Sequence, residues 1–282
     1  MLRSEVEEKT GLSRKAIEYY EDKGLIDPQR LENGYRDYSI EDVKLLKKIS
    51  LLTKLGLSLA EIKDILLNKT SSLSSVLRKK EYVLEVEEKK KEILNLFLKG
   101  ADQALIEERV KALEGQKTLY ERLTDIFPGY FGQMLFSSYK PFLNAPLEAE
   151  GEIYFKEFVD YLDKLPNFNL TKEEENYLEE LSKEYSMESL ADVNERKIQA
   201  VYDSEKWLEE NKDIIETYEA YKNSQAYKNS QMKVIQDKLK DYMISNNYYE
   251  IAIPLIRKFS KSYDAYYEKL LAANENYLKK KN

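Results

Sequence analysis

The amino-acid sequence predicts a mainly α-helical protein. Glycine and proline, the residues that most often end helices, number only 9 and 6 among 282 residues. In many segments apolar residues recur every three or four positions, which is the period of one face of a helix. Turn-forming residues stand between short helical patterns in the first seventy positions, where they predict a small unit of short helices and one hairpin.

The composition excludes several classes of function. The chain has no Cys and no His, which removes disulfides, thiolate redox sensing, Ser-His-Asp catalysis and the usual zinc sites. We therefore expect no cofactor, no metal site and no enzymatic activity. There is no run of about 18 apolar residues, and the first residues lack the apolar core of a signal peptide. A cytoplasmic protein without a membrane span is the expectation.

The charge of the chain is unevenly distributed. The net charge is −7, but the first 70 residues contain 13 basic and 13 acidic side chains and are neutral as a group. All of the excess negative charge therefore lies after residue 70. Binding of nucleic acid cannot rest on the net charge and requires a local basic face in the first segment.

Two short helices separated by a tight turn are predicted at the N-terminus. Ser4 is a suitable cap for a helix that ends near Gly11, and Ser13 is a suitable cap for a second helix that ends at Gly24. This is the pattern of a helix-turn-helix, whose second helix enters the major groove of DNA. Geometry alone also allows a small helical scaffold with no role in DNA binding.

A hairpin and two more helices complete the first unit. Asn33-Gly34 is a strong turn signal between two short extended arms, and such a hairpin after a helix-turn-helix is a wing. Ser39 with Asp42 resembles a capping box and opens a helix over 40–55. Ser58 caps the helix that follows. A solvated hairpin of mixed charge is the alternative to a DNA-binding wing.

The helix after Ser13 has two chemically different faces. Rotation by 100° per residue places Ala16, Ile17 and Tyr20 on a buried face. The opposite face, predicted to meet DNA, carries Arg14, Lys15, Glu18, Tyr19 and Asp22. On the wing, Arg guanidinium groups and Tyr hydroxyls are suited to phosphate contacts, and they are predicted at Arg30, Tyr35, Arg36 and Tyr38.

Glu18 is an unexpected residue on a helix that faces DNA. Phosphates repel its carboxylate, so it either pairs with Arg14 one turn away or accepts a hydrogen bond from the N4 amino group of cytosine. Glu21 and Asp22 are expected to stay solvated near the end of the helix. Our hypothesis is that these acids suppress indiscriminate DNA binding and that Glu18 adds selectivity.

A long helix is predicted over 74–98. Its apolar residues follow a spacing of three and four for three heptads, although two Lys interrupt the series. The helix either pairs with a second copy as a coiled coil or packs on its own chain. The residues predicted to form the dimer interface are Val76, Val83, Val86, Ile93 and Phe97.

The remainder of the chain predicts an all-α C-terminal domain. Residues 126–170 concentrate Pro, Gly and aromatic residues, and we place the start of the last domain there. The predicted division is therefore 1–70, 71–125 and 126–282. After Thr171 there is no Gly, and long helical segments are predicted over 173–185, 187–210, 214–242 and 249–279. A six-residue repeat, YKNSQAYKNSQM at 221–232, is interpreted as a local duplication without a function.

Several motifs in the first third of the chain resemble those of one known family. SEVEEKTGLSRKAIEYYEDKGLI, NGYRDYS and EDVKLLKKISLLTKLGLSLAEIKDIL, in this order and at this spacing, resemble the MerR family of bacterial transcription regulators over roughly residues 1–100. The resemblance implies a winged helix-turn-helix and an antiparallel coiled-coil homodimer. It also implies binding to a palindromic promoter with an overlong spacer, which the protein bends and untwists so that RNA polymerase can use it.

The resemblance assigns roles to individual residues. It implies that Arg14, Lys15 and Tyr19 lie in or beside the major groove. It also implies that the wing residues hold the DNA backbone. Glu18 stands where the family usually has Arg, and Glu7 and Lys9 stand where small or apolar residues are usual.

The family usually acts after an effector binds its C-terminal region. Because this chain has no Cys, it is not expected in the metal or redox branches, and an apolar or aromatic small molecule bound within 126–282 is the predicted effector. The alternative is a protein-interaction module that the N-terminal unit tethers to DNA. An enclosed pocket favours a ligand, whereas a contiguous exposed apolar patch favours a protein partner.

Overall fold

The protein consists of two compact units, Met1–Leu73 and Ser74–Asn282. The computed structural model describes residues 1–66, 73–127, 129–144, 147 and 149–281. In these residues helices predominate and the only strands are the two short ones of a hairpin, which confirms the predicted mainly α fold. No helix of the described ranges is long and apolar enough to cross a bilayer.

The first unit has the predicted order of helix, helix, hairpin, helix, helix. The two strands pair antiparallel, with Arg30 opposite Arg36. Gly34 in the turn has φ of +80°, a conformation that side chains disfavour. The elements are α1 (Arg3–Thr10), α2 (Arg14–Asp22), β1 (Gln29–Arg30), β2 (Arg36–Asp37), α3 (Ile40–Lys54) and α4 (Leu59–Leu66).

Local caps set the ends of these helices. The side chain of Ser13 accepts a hydrogen bond from the backbone N–H of Ala16, and Ser39 and Asp42 form a reciprocal capping box, which confirms both predicted caps. The predicted Ser4 cap is wrong. Ser4 lies inside α1, and the first turn is held instead by the carboxylate of Glu5, which accepts the backbone N–H of Leu2 at 2.9 Å.

One apolar core supports the first unit. Ile17 and Tyr20 of α2 are buried as predicted, and Ala16 is partly buried. The same core receives side chains from α1, the segment after α2, the end of the wing, α3 and α4, namely Val6, Leu25, Ile26, Tyr38, Val43, Leu46, Ile49, Leu52 and Ile62. Burial of these side chains fixes the face of α2 that remains in solvent.

Helices are the only regular secondary structure in the described residues of the second unit. It contains a short 3₁₀-helix over Lys140–Leu143 and a π-helical turn over Tyr248–Ala252. Its α-helices, of which the first begins one residue before the unit, are α5 (Leu73–Leu98), α6 (Gln103–Ile126), α7 (Tyr130–Tyr139), α8 (Ala149–Leu162), α9 (Lys172–Ser182), α10 (Met187–Tyr202), α11 (Ser204–Glu210), α12 (Lys212–Asn223), α13 (Gln225–Lys228), α14 (Gln231–Ser245), α15 (Ile253–Phe259) and α16 (Lys261–Lys281).

The predicted division of the chain differs from the observed one. The predicted boundary between residues 70 and 71 lies outside the described residues, and the two units separate at 73/74. Residues 74–125 are not a separate linker, because α5 and α6 share a core with the helices that follow. The aromatic residues after position 126 fill that core. Tyr82 of α5 stacks on Tyr120 of α6 at 3.9 Å between ring centres, and both rings meet the edge of Phe136 at 5.0 Å.

Gly132 explains part of the glycine content of this segment. A Cβ atom added there would lie 2.3 Å from the carbonyl oxygen of Phe127 and 2.6 Å from that of Leu123. No side chain fits at that distance, so the glycine permits the close packing of α7 against α6. The glycine that was interpreted as part of a domain boundary is therefore required for the packing of helices within one core.

A buried arginine of the second unit joins three helices and the segment between α9 and α10. Arg78 of α5 is almost fully buried and donates from Nε to Oε1 of Gln133 at 2.6 Å. Its Nη1 donates to the carbonyl oxygens of Ser182 and Tyr185 at 2.9 and 3.1 Å. Gln133 in turn donates from Nε2 to the carbonyl oxygen of Ser75 at 2.8 Å. This network ties the start of α5 to α7 and to the chain between α9 and α10.

The six-residue repeat forms two consecutive helix starts. Ser224 accepts the N–H of Tyr227 and caps α13, and Ser230 accepts the N–H of Lys233 and caps α14. The hydroxyl of each serine also donates to the carbonyl oxygen of the tyrosine three residues earlier, at 2.7 Å in both copies. The predicted helix over 214–242 is therefore divided at each copy, because the serine ends one helix and begins the next.

Candidate nucleic-acid interface

The solvent face of α2 carries the predicted basic residues. Arg14 and Lys15 are exposed at its first turn, and Tyr19 is exposed one turn later. The ammonium group of Lys23 lies 5.5 Å from the ring centre of Tyr19, which is a cation–π contact. The solvent face of α2 therefore presents the basic side chains of Arg14 and Lys15 together with the ring of Tyr19, which contacts the ammonium group of Lys23.

Glu18 lies between two arginines of different helices. Its Oε1 accepts hydrogen bonds from Nη1 of Arg3 at 2.7 Å and from Nε of Arg14 at 2.9 Å. The hydrogen bond from Arg14 lowers the pKa of the Glu18 carboxyl, and the positive charge of Arg3 acts in the same direction. Of the two alternatives given for Glu18, the pairing with Arg14 is present in the structure, and the contact with Arg3 was not predicted.

Glu21 makes the matching contact with the wing. Nε of Arg36 lies 2.6 Å from Oε1 and 2.5 Å from Oε2 of Glu21, whose side chain is only 14% exposed. This corrects the expectation that Glu21 stays solvated. The hydrogen bond to Glu21 raises the pKa of Arg36 and commits one edge of its guanidinium group to the protein. Asp22, the next acid, is exposed as expected.

The wing presents fewer side chains to solvent than the sequence indicated. Arg30 and Tyr35 are exposed. Tyr38 is 1% exposed and belongs to the core of the first unit, which corrects its predicted place on the surface. Burial raises the pKa of Tyr38, and its hydroxyl has no hydrogen-bond partner among the described residues. Tyr38 directly follows β2, and this two-residue strand is too short for the alternation of its side chains to show which way Tyr38 points.

The five residues predicted to form a dimer interface do not share one environment. Val76 and Val86 are buried within their own chain, and Val86 packs in the core that contains Leu119 and Tyr120. Ile93 is partly buried, whereas Val83 is exposed and Phe97 is 66% exposed. The helix therefore packs on its own chain in its first half and presents apolar side chains to solvent towards its end. Dimerisation stays a prediction.

The end of α5 and the start of α6 form an apolar surface. Beside Phe97, α5 exposes Leu94 and Leu98, and α6 exposes Leu105 and Val110. We call these five residues the hairpin-end surface. Gly100, with φ of +70°, forms the turn between the two helices. Exposed apolar residues concentrated in this way indicate an interaction surface.

The comparisons with known proteins concern the first unit. The model of the MerR HTH family regulatory protein matches residues 1–69. Residues 1–69 form a MerR-type helix-turn-helix domain. The family resemblance drawn from the motifs is thereby confirmed for this part of the chain. No solved structure matches the chain significantly.

Three relatives of the MerR-type domain illustrate the extent of the match. The HTH-type transcriptional regulator HmrR of Rhizobium leguminosarum bv. viciae is 47% identical over 62 residues, which are 22% of this chain and 48% of that protein. CueR of Yersinia pestis is 39% identical over 64 residues, or 22% and 46% of the two chains. The mercuric resistance operon regulatory protein of Bacillus cereus is 43% identical over 63 residues, or 22% and 48%. The chain spans about half the length of these relatives.

Two ion pairs of the MerR-type domain were not predicted from the sequence. Arg3 and Arg36 each contact an acid of α2 across 15 positions, and the acids Glu18 and Glu21 are one turn apart. The excess of acid on α2 was the available signal, since a buried or paired carboxylate needs a cation. No group of His, Cys, Asp or Glu in the described ranges is arranged to hold a metal ion.

Proposed function

We propose that the protein is a sequence-specific DNA-binding transcription regulator that acts as a homodimer on a palindromic promoter element. The observation that carries the proposal is the exposed group of Arg14, Lys15 and Tyr19 on α2, the second helix of a MerR-type domain. The N-terminal residues of such a helix contact base edges in the major groove. The curated relatives are named as transcriptional regulators, which is in keeping with this proposal.

Phosphate contacts come from the wing. Arg30 and Tyr35 are exposed there, and a guanidinium or hydroxyl group donates to phosphate oxygens without reading the base sequence. Arg36 contributes in a different way, because its bond to Glu21 fixes the wing against α2.

Homodimerisation places two copies of α2 on two half-sites. The hairpin-end surface, together with Val83, supplies apolar area for the contact between the copies. When the spacer is longer than the distance between the two helices, both bind only if the DNA is bent and untwisted. Deformation of this size costs a few kcal/mol, of the order of 1–6. The distorted promoter is then the substrate for RNA polymerase, which is an indirect partner.

A small non-metal effector bound in the second unit controls this activity. The second unit contains clefts that are open to solvent and lined by aromatic and aliphatic side chains, including Trp207 and Tyr218. An apolar or aromatic molecule gains free energy by covering such side chains. The absence of Cys and His from the sequence excludes the ligands on which thiolate or imidazole metal sensing depends.

The second candidate function is a protein-interaction module that the MerR-type domain tethers to DNA. The hairpin-end surface favours it, because Phe97 and Leu98 are 66% and 85% exposed and the clefts are not enclosed. The oligomeric state separates the two functions. A homodimer that covers the surface supports the regulator, whereas a monomer that captures another protein through Phe97 supports the module.

Selection of DNA from a random double-stranded pool tests the proposed function. The purified full-length protein is expected to retain fragments that contain an inverted repeat. Arg14→Ala is expected to abolish the enrichment, whereas Lys54→Ala, a change of an exposed cation on α3, leaves it intact. Arg30→Ala is expected to weaken binding to all sequences and to lower the salt slope by about one unit. Retention of fragments without any shared motif would refute sequence-specific binding.

A further inference from the structure

Two open clefts of the second unit meet at Lys222. One has a volume of about 550 Å3 and lies among α11, α12 and α16. The other has a volume of about 680 Å3 and is lined by α7, α12, α14 and the π-helical turn. Because Lys222 and Asn223 line both, the clefts adjoin at these residues, and we call the two together the α12 groove. Each cleft is in the size range of known ligand sites.

One end of the α12 groove is apolar. Trp207, Ile214 and Tyr218 line it and remain exposed to solvent. Among the described residues that line this end, Glu219 is the one acid, and it accepts a hydrogen bond from the hydroxyl of Tyr277 across the cleft. A ligand that covers these side chains removes apolar surface from water.

The other end of the α12 groove is basic. Lys233 and Lys240 line it, and Lys222 stands at the junction with the apolar end. Among the described residues that line this end, Asp237 is the only acid, and it forms an ion pair with Lys233 at 2.5 Å. Lys222 and Lys240 form no ion pair with any acid in the part of the chain that the structure describes. Three ammonium groups against one carboxylate leave a net positive charge facing the cleft.

Aromatic rings hold Lys222 in place. Its ammonium nitrogen lies 5.5 Å from the ring centre of Tyr218 and 5.2 Å from that of Tyr227. The hydroxyl of Tyr227 is itself fixed, because it donates to Oε1 of Gln236 at 2.5 Å. A cation positioned by two rings between an apolar and a basic cleft is suited to the boundary between the apolar body and the anionic head of a ligand.

The backbone beneath the basic end is unusual. Asn247 has φ of +53° and is the only residue other than Gly with positive φ in the described ranges. The π-helical turn that follows it places Tyr248 and Tyr249 in succession on the wall of the groove. The hydroxyl groups of Tyr139 and Tyr248 are in hydrogen-bond contact with each other. Single π-helical turns occur preferentially at functional sites.

We propose that the α12 groove binds a small amphipathic anion. Its apolar body lies against Trp207 and Tyr218, and its carboxylate or phosphate head lies between Lys222 and Lys240. This inference deepens the effector control described above and rests on it for the consequence on DNA binding. Binding itself requires only the groove. A neutral apolar ligand forms no ion pair with these lysines, and a cationic one is repelled by them.

Binding of sodium decanoate to the full-length protein tests the proposal directly. Decanol has the same apolar chain without the charge, and decyltrimethylammonium reverses the charge. Calorimetry and the fluorescence of Trp207, the single tryptophan, are expected to show one decanoate site, weaker binding of decanol and no binding of the ammonium compound at that site. Equal affinities for decanoate and decanol would overturn the proposal.

The sequence repeat supplies a matched control variant. Lys228 occupies in the second copy the position that Lys222 occupies in the first, and it is exposed. Lys228 does not line either cleft. Lys222→Gln is expected to weaken decanoate binding about tenfold and to leave decanol binding unchanged. Lys228→Gln is expected to change neither. Equal effects of the two substitutions on decanoate would mean that the anion is held by general surface charge.

A DNA-binding measurement separates the groove from the proposed regulator. Fragments selected by the protein are titrated with and without saturating decanoate. A change in affinity that Lys222→Gln abolishes supports both the groove and its regulatory role. Binding of decanoate without any effect on DNA supports the groove and counts against effector control through it. Absence of a decanoate site overturns the groove, whether or not the protein binds DNA.

Discussion

Arg36 of the wing donates from Nε to both carboxylate oxygens of Glu21 in α2, at 2.6 and 2.5 Å. One turn earlier on the same helix, Glu18 accepts from Arg3 of α1 at 2.7 Å. The two acids therefore fasten α1 and the wing to the helix that is proposed to enter the major groove. This accounts for negative charge on a helix that faces DNA without requiring that either acid read a base.

Substitution of Glu21 is expected to weaken DNA binding even though it removes a negative charge. In Glu21→Ala the wing loses its ion pair with α2, so Arg30 and Tyr35 are no longer held in place. Affinity for a selected operator should fall about fivefold at fixed salt. Asp22→Ala is the control, because Asp22 is exposed and carries the same charge. If both variants bind more tightly, the ion pair does not position the wing.

Glu18→Gln is expected to change selectivity. The substitution removes a carboxylate that phosphates repel and weakens its hold on Arg14, so affinity for random DNA should rise. The operator should gain less, because Arg14 is no longer fixed in one orientation. The measurement is the ratio of the two dissociation constants at one salt concentration. Two unchanged affinities would place Glu18 away from both the bases and the phosphates.

Tyr38→Phe tests the corrected position of Tyr38. Its hydroxyl is buried without a partner among the described residues, so its removal should leave DNA affinity unchanged. The free energy of unfolding should stay the same or rise by about 1 kcal/mol, since an unpaired buried polar group is removed. Urea titration and operator binding measure the two quantities. A clear loss of operator affinity would show that the hydroxyl reaches the DNA in the complex.

The hairpin-end surface predicts a specific effect on self-association. Phe97→Asp places a charge where the second copy is proposed to pack, so the dimer should weaken by at least about a hundredfold. Sedimentation velocity over a range of concentrations measures this. Lys99→Asp, an exposed position two residues away, should leave the dimer intact. A Phe97→Asp protein that remains dimeric would place the interface elsewhere.

The Glu85 carboxylate is expected to make stability depend on acid pH. Burial opposes its ionisation, but hydrogen bonds from Lys140 at 2.5 Å and Lys89 at 3.0 Å outweigh that effect and lower the pKa of Glu85. A carboxyl whose pKa is lower in the folded than in the unfolded state stabilises the protein above its unfolded pKa. That contribution is lost as the pH falls through the folded pKa.

Comparison with Glu85→Gln isolates this contribution. The wild type should exceed the variant in unfolding free energy by about 1 kcal/mol at neutral pH. The difference should disappear as the pH falls below the ordinary range of a glutamate, near 4.3. Denaturant titrations at several pH values measure it. A difference that stays constant down to the lowest pH would mean that Gln at this position acts through packing and not through charge.

The local features of the fold could be predicted from the sequence. Ser13 and Ser39 cap helices as predicted, because a cap depends on residues only three positions apart. The turn at Gly34 was predictable for the same reason. The ion pairs of Glu18 and Glu21 with residues 15 positions away were not, since they depend on how α1 and the wing pack on α2.

Helical periodicity identified the apolar residues of α5 but not what covers them. Val86 is buried in the core that contains Leu119 and Tyr120, whereas Phe97 is 66% exposed, yet both residues fit one helical spacing. A helical period in the sequence indicates that one face of the helix is apolar, but it does not indicate which element packs against that face. The burial of Arg78 was not predicted for a related reason. Its hydrogen-bond acceptors, Gln133 and the backbone carbonyls of Ser182 and Tyr185, lie far away along the chain, so the residues next to Arg78 give no sign of them.

The YKNSQ repeat contains both the end of one helix and the beginning of the next. Duplication of these six residues therefore adds a complete helix end and helix start to the chain. Once two copies exist, each is free to diverge under its own selection. Lys222 of the first copy faces the α12 groove, while Lys228 of the second stays in solvent with no such constraint. The duplication thus supplies a second lysine, Lys228, that can be substituted without changing the lining of the α12 groove.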